Sequence, residues 1–319
     1  MSISVLGSGA FGTSLAIALA QSGSAVTLWS RDAQQAEQMQ ASRQSGARLP
    51  GLDLPETLTV TSDNSAFDAK ICLLAIPTQK LAEFLTSLPR TPNQALVACC
   101  KGVDRKTGLG PVATIVRHHP KATAAILTGP SFAADIARGL PTALVLATAN
   151  LTDATELQSK LTRPTLRLYR STDVIGAELG GALKNVIAIA AGIAIGARLG
   201  DSARASVIAR GFSEMGRLAA AKGAETETIQ GLSGLGDLVL TCTSDKSRNF
   251  TAGIALGQGQ KPDPDTTVEG LATAPTVARA AIDLGLDLPL MQAIADVVEG
   301  KLDIPRAIET LLSRPVGKE

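Results

Sequence analysis

The chain has 319 residues, 45% of them apolar and 18% charged, with a formal net charge of +1. That composition builds a sizeable core and excludes global disorder, and a near-neutral charge offers no basic face to nucleic acid. At about 100–200 residues per domain, the length suggests two domains. The mean hydropathy of +0.19 calls for a check on membrane segments. The longest apolar run, Val186–Ala197, is well short of the ~20 residues that span a bilayer and reads as a buried core helix, not as a stable membrane insertion. The N-terminal stretch is apolar but has no basic leader, and it carries a glycine motif in place of a cleavage site, so the expected location is cytoplasmic. Cys72, Cys99, Cys100 and Cys242 have neither zinc spacing nor a disulfide framework and read as buried, reduced thiols. The two histidines, His118 and His119, stand side by side just before Pro120. A histidine triad or multi-histidine metal site is thereby excluded, and no metal is expected. The chemistry falls to Lys, Asp, Glu, Arg or a cofactor.

Residues 1–172 alternate short apolar runs with helical patterns. The runs are Ser2–Leu6, Ala25–Trp29, Thr57–Val60, Ile71–Ile76, Ala95–Cys100, Ala124–Leu127, Thr142–Ala147 and Leu166–Tyr169. They do not alternate in polarity and they end in turn residues, as buried parallel strands do. The first domain is therefore an α/β, Rossmann-type doubly wound sheet. From residue 173 the character changes to long apolar helices: Asp173–Arg198, Ser202–Lys222, Ser247–Gly257, Thr273–Leu284, Leu290–Glu299 and Ile304–Leu312. Residues 173–319 are predicted to form an all-helical domain. Asp173 is its N-cap, and Gly200 is the stop of its first helix.

Gly7-Ser8-Gly9-Ala10-Phe11-Gly12 is G-x-G-x-x-G between the first strand and a helix. Gly7 permits the tight turn, Gly9 lets the backbone approach a pyrophosphate, and Gly12 allows close helix–strand packing. NAD-binding chains usually carry an acid at the tip of the second strand. Here the tip is Trp29-Ser30-Arg31, and Asp32 comes late. Ser30 and Arg31 suit a 2′-phosphate, which favours NADP(H) over NAD(H). Lys101 directly follows a buried run, a place where it would meet a phosphate or the nicotinamide edge.

In the helical half, Gly176, Gly180 and Lys184 fall at i, i+4, i+8 on one helix face. Those glycines cost roughly 1 kcal/mol each relative to Ala, which implies close approach by a helix or ligand. Apolar surroundings would lower the pKa of Lys184 and make it a general acid/base. Gly231–Asp237 reads as a glycine-rich turn presenting Asp237. Ser247 is an N-cap, and with Arg248 the helix start forms an anion site. Glu269-Gly270 lies in a loop before the Thr273 helix. Together with Lys101, these groups suggest a small phosphorylated substrate.

The ordered motifs Gly7–Gly12, Leu49-Pro50-Gly51, Lys101-Gly102, Gly129-Pro130-Ser131-Phe132-Ala133, Leu183-Lys184-Asn185, Gly231–Asp237, Thr241-Cys242, Ser247-Arg248-Asn249 and Val268-Glu269-Gly270 cover nearly the whole chain. In them the chain resembles the bacterial-type NAD(P)-dependent glycerol-3-phosphate dehydrogenases. The resemblance implies hydride transfer between NAD(P)H and dihydroxyacetone phosphate, a three-carbon substrate, giving sn-glycerol 3-phosphate for phospholipid synthesis. It implies Lys184 as proton donor and acceptor. The substrate set it implies is Lys101, Gly129, Ser131, Asp237, Ser247, Arg248 and Asn249. Its cofactor contacts are Ala10, Phe11, Arg31, Lys101, Ala133, Arg248, Thr267 and Glu269. Asp135 stands where the family commonly has Glu, and Cys99-Cys100 precede Lys101 where smaller residues are usual.

Two other readings compete. β-Hydroxyacid or ketopantoate-type reductases also pair a Rossmann domain with a helical domain and a lysine. The β-hydroxyacid group places an Asn one helical turn beyond the lysine, where this chain has Ile187 and Ala188. A non-catalytic NADP(H) sensor would not need Lys184, Asp237 and an anion site together. The apolar helical domain also invites homodimerisation.

Overall fold

The computed structural model describes residues 2–89, 93–264 and 266–313. The chain divides into two units, one of Met1–Lys101 with Leu109–Ala177 and one of Gly102–Gly108 with Glu178–Glu319.

In the first unit the elements run β1 (Ile3–Leu6), α1 (Ala10–Ala20), β2 (Val26–Trp29), α2 (Ala33–Ser42), β3 (Leu58–Thr61) and a 3-10 turn at Asn64–Asp68. They continue with β4 (Ile71–Leu74), α3 (Thr78–Ser87), β5 (Ala95–Ala98), α4 (Pro111–His118), β6 (Thr123–Thr128), α5 (Ala133–Ala137), β7 (Thr142–Thr148), α6 (Leu151–Leu161) and β8 (Leu166–Ser171). The sheet order is β3-β2-β1-β4-β5-β6-β7-β8. Its first six strands have the 3-2-1-4-5-6 order of a doubly wound dinucleotide fold, with the reversal between β1 and β4. Val5, Leu15, Leu28, Leu73, Val97 and Leu144 are fully buried between sheet and helices. Each such side chain contributes about 1.5–3 kcal/mol. α1 carries no charged residue and buries every position from Gly12 to Ala20.

The sheet departs from the all-parallel expectation at one place, because β6 and β7 are antiparallel. The link between them holds only the five-residue α5. That helix covers about 8 Å, whereas β6 needs about 20 Å of return to restart a parallel strand. The chain therefore turns back where β6 ends.

The second unit is helical. α7 (Val174–Gly196) starts at the expected N-cap, where Asp173 Oδ1 accepts from Gly176 N at 2.8 Å. By length and composition α7 is long and apolar enough to cross a membrane, yet 89% of its most apolar window is buried inside the protein. It is the central core helix. It does not stop at Gly200. Arg198 takes the left-handed conformation (φ 60), and Leu199 N donates to Ala194 O at 2.9 Å, so the helix closes in a Schellman turn two residues earlier. Gly200 instead precedes the next helix. There follow α8 (Asp201–Ala221), α9 (Thr226–Gln230), a π turn at Leu232–Gly236, α10 (Asp237–Cys242), α11 (Arg248–Gly257), α12 (Glu269–Asp283), α13 (Pro289–Val298) and α14 (Ile304–Leu312). Ile187, Ile189, Met215, Leu218, Leu238, Met291 and Ile294 form their core.

Three contacts fix this unit. Gly192 and Gly196 of α7 meet Gly253 and Gly257 of α11. A Cβ added at Gly253 would lie 2.2 Å from Ile189 O, and one at Gly192 2.1 Å from Phe250 O, so the two backbones touch. The buried Glu214 of α8 accepts from the N–H groups of Leu290 (2.7 Å) and Met291 (3.0 Å), capping α13 from the side. Pro275 inside α12 has no N–H for Leu271 O. Arg105, from the Gly102–Gly108 segment, reaches that carbonyl and Ala272 O, each at 3.4 Å.

Candidate functional site

In the first unit the glycine loop lies at the switch point of the sheet. Gly7 has φ +119, and a Cβ there would fall 2.5 Å from Ala75 O, at the end of β4. A Cβ at Gly12 would fall 2.0 Å from Gly7 O. At Gly9 it would meet nothing within 4 Å, which leaves open space beside the backbone. Gly9 is the N-cap of α1, and no side chain caps that helix. The first N–H groups of α1, from Ala10 and Phe11 onward, therefore keep their capacity for an anion. These residues fit a dinucleotide pyrophosphate.

At the tip of β2, Ser30 is buried and Arg31 is exposed. The Asp32 carboxylate accepts from Gln35 N at 3.0 Å and caps α2. Ser8 Oγ lies 2.8 Å from Ser30 Oγ, and both hydroxyls donate to Gln35 Oε1, at 3.0 and 3.1 Å. The β5 and β6 ends bring three expected residues together. Lys101 Nζ donates to Gly129 O at 3.1 Å, and Ser131 Oγ donates to the same carbonyl at 3.2 Å. Thr78 Oγ1 holds the Lys101 carbonyl at 2.8 Å. Gly129 has φ +135 with the Leu144 backbone against it, a position closed to other residues. Ala133 opens α5 and is half-buried.

In the second unit Lys184 Nζ donates to Asp237 Oδ1 at 2.9 Å and to Thr241 Oγ1 at 2.7 Å. Thr241 Oγ1 lies 3.2 Å from Asp237 Oδ1, and all three side chains are buried. The stripe of small residues on α7 makes this possible. A Cβ at Gly180 would lie 2.5 Å from Ser233 O, so the segment carrying Asp237 packs directly on α7. That segment is not an open turn. Leu232–Gly236 forms a π turn running straight into α10, and a Cβ at Gly234 would lie 1.9 Å from Ile229 O. The apolar run around Lys184 in sequence does not leave its amine among apolar groups alone, because Asp237 forms an ion pair with it. The nearby Cys242 thiol is pushed up to about 12, chiefly by burial.

At the start of α11, Ser247 Oγ accepts from Phe250 N at 3.2 Å, as an N-cap should. Arg248 is exposed beside it. Asn249 points inward. Its Nδ2 donates to Asn185 Oδ1 at 2.9 Å, and its Oδ1 accepts from Gly270 N at 2.8 Å. Asn185 Nδ2 in turn donates to Glu269 Oε2 at 3.1 Å. Glu269-Gly270 is thus the first turn of α12, not a loop, because Asn249 satisfies an N–H of that turn. Thr267 is exposed just before it.

The structure joins Lys184 to Asp237, and Asn249 to Glu269 through Asn185. Thr241 and Asn185 are contacts that the motif reading did not assign a role. Thr241 lies one helical turn after Asp237, so a helical reading of that stretch would have placed both on one face. Among the described residues no group of His, Cys, Asp and Glu is arranged to hold a metal ion.

A doubly wound sheet with an uncapped glycine loop, and a helical unit burying a lysine–aspartate pair, define a nicotinamide-dependent oxidoreductase. Comparison with known proteins narrows the class. Residues 2–154 match the family described as NAD-dependent glycerol-3-phosphate dehydrogenase N-terminus, and residues 173–309 match the C-terminus of the same family. Glycerol-3-phosphate dehydrogenase [NAD(P)+] of Roseobacter denitrificans is 54% identical, with 100% of both chains covered, and that of Ruegeria sp. is 53% identical with the same coverage. The crystal structure of glycerol-3-phosphate dehydrogenase from Coxiella burnetii aligns with a TM-score of 0.91 at 35% identity, covering 98% of this chain and 99% of the other. The chain belongs to the NAD-dependent glycerol-3-phosphate dehydrogenase family. That membership decides against the ketopantoate-type reading.

Proposed function

We propose that this enzyme reduces dihydroxyacetone phosphate to sn-glycerol 3-phosphate with NADPH or NADH, and that NADPH is preferred. The buried Lys184–Asp237–Thr241 cluster carries the reading. Reduction of a ketone to a secondary alcohol needs one hydride at carbon and one proton at oxygen. Bound reduced nicotinamide supplies the hydride. Lys184 gives the proton to the carbonyl oxygen and, while charged, stabilises the developing alkoxide. Asp237 and Thr241 hold the amine in one orientation. In the reverse direction the same amine takes the hydroxyl proton.

Arg248, the N–H groups at the start of α11 and Lys101 supply positive charge suited to a phosphate. Gly129 and Ser131, joined to Lys101 through the Gly129 carbonyl, serve as further substrate contacts. Gly7, Gly9, Ala10, Phe11 and Gly12 hold the pyrophosphate. Arg31 takes the 2′-phosphate, and Ala133, Thr267 and Glu269 line the cofactor. The enzyme acts in the cytoplasm, feeds glycerophospholipid synthesis, and forms a homodimer.

Lys184→Met tests the central role. Turnover should fall by about 10³–10⁴-fold, while NADPH still binds in calorimetry. Turnover within tenfold of the parent would overturn the assignment.

A further inference from the structure

We propose that Gln35 sets the enzyme's choice between cofactors with and without a 2′-phosphate, by placing a neutral acceptor where a carboxylate would select the free 2′-hydroxyl. The inference deepens the NADP(H) reading above and rests on it.

Three observations carry it. Asp32, the acid that follows the β2 tip in sequence, caps α2 by accepting from Gln35 N. The acceptor that faces the tip is instead the Gln35 amide oxygen, bonded to Ser8 of the glycine loop and to Ser30 after β2. These two segments bracket the position of the adenine ribose in a doubly wound fold. Finally, there is room for the Gln35 head group: a Cβ at Gly46 would lie only 3.1 Å from Gln35 Nε2, so glycine at 46 leaves space for the amide.

The chemistry follows from charge. An amide oxygen holds the Ser8 and Ser30 hydroxyls without cancelling the cation of Arg31. Both hydroxyls can rotate to donate to a phosphate. Glutamate at 35 has the same shape but is anionic and accepts only. It would hold the hydroxyls more tightly, offset Arg31 and repel a second anion. Gln35 is thus a positioning residue acting through the two serines, and its charge state is the selector.

The test measures binding of NADPH and NADH by calorimetry, without turnover. Gln35→Glu should weaken NADPH about 100-fold, the penalty of a like charge at hydrogen-bond range, and leave NADH within threefold. Gln35→Leu removes the acceptor without adding charge and should change the ratio much less. Equal ratios for the Glu and Leu variants would overturn the charge argument. If Gln35→Glu does not fold, Ser8→Ala/Ser30→Ala should still weaken NADPH selectively, and an unchanged ratio there would overturn the proposal. Arg31→Ala separates the two levels. If it lowers the NADPH/NADH ratio while Gln35→Glu does not, the 2′-phosphate reading stands and the role of Gln35 falls. A parent enzyme that binds both cofactors equally would overturn both.

Discussion

Gly253→Ala should damage both stability and catalysis, although alanine is the better helix former. The added Cβ would sit 2.2 Å from Ile189 O, where ordinary contact begins at 3.4 Å, so α11 must move off α7 by about 1.2 Å. The atoms it would strike, in Ile189 and Gly192, are all backbone, so no side chain can swing aside. Overpacking of this kind costs about 1–3 kcal/mol, and a backbone clash belongs at the upper end. Alanine's helix propensity returns about 1 kcal/mol, leaving a net loss of about 2 kcal/mol. The same shift stretches the Asn249–Asn185 bond from 2.9 Å to about 4 Å, beyond hydrogen-bond range. Asn185 is the neighbour of Lys184, so the damage reaches the proposed proton donor. Thermal unfolding and steady-state kinetics should show a lower Tm and a kcat/KM reduced by about tenfold, of the order that one lost, neutral hydrogen bond accounts for. Gly216, inside α8 with nothing within 4 Å of an added Cβ, is the control. Gly216→Ala should stabilise by about 1 kcal/mol. If Gly253→Ala behaved like Gly216→Ala, the backbone contact between α7 and α11 would not exist.

Other predictions concern single groups. Thr241→Val keeps the shape but leaves the Lys184 amine short of one acceptor, and kcat should fall about tenfold with little change in NADPH affinity; an unchanged kcat would remove Thr241 from the cluster. Asp237→Asn removes the charge that holds the ammonium, and kcat should fall by about 100-fold or more. Burial raises the Glu214 carboxyl above its ordinary value. The folded chain therefore holds this proton where the unfolded chain has lost it. Stability should fall as pH rises from about 4.5 through the folded value, then level off; in Glu214→Gln that slope should flatten in a Tm-against-pH series. Burial holds the Cys72 thiol at about 12 and the Cys99 thiol well above its ordinary value, so a thiol reagent should label none of the four cysteines in the native protein and all of them in denaturant.

Much of the fold was legible because burial is written in continuous apolar runs. All eight strands and the main helices lie within a few residues of their expected places. The antiparallel β6–β7 pair was not legible, since apolar runs carry no direction; only the shortness of α5 decides it. The glycine pairs of α7 and α11 were hidden for a related reason. Gly192-x-x-x-Gly196 and Gly253-x-x-x-Gly257 lie over 60 residues apart, and only tertiary packing shows that they meet. At the site, Lys184 and Asp237 could be read as residue types in suspicious settings. Their ion pair, and the third partner Thr241, depend on a π turn that looks like a loop in sequence. Asp32 shows the reverse case, in which a residue suited to a ribose is used as a helix cap.

The proposed reaction is a lysine-assisted reduction of a three-carbon phosphorylated ketone by a nicotinamide cofactor. The direct measurement mixes the purified protein with NADPH and dihydroxyacetone phosphate and follows loss of reduced-cofactor absorbance, with NADH and unphosphorylated dihydroxyacetone in parallel. The expected result is rapid oxidation that requires the phosphate and is faster with NADPH. No oxidation of either cofactor, with both still bound by the protein, would contradict it.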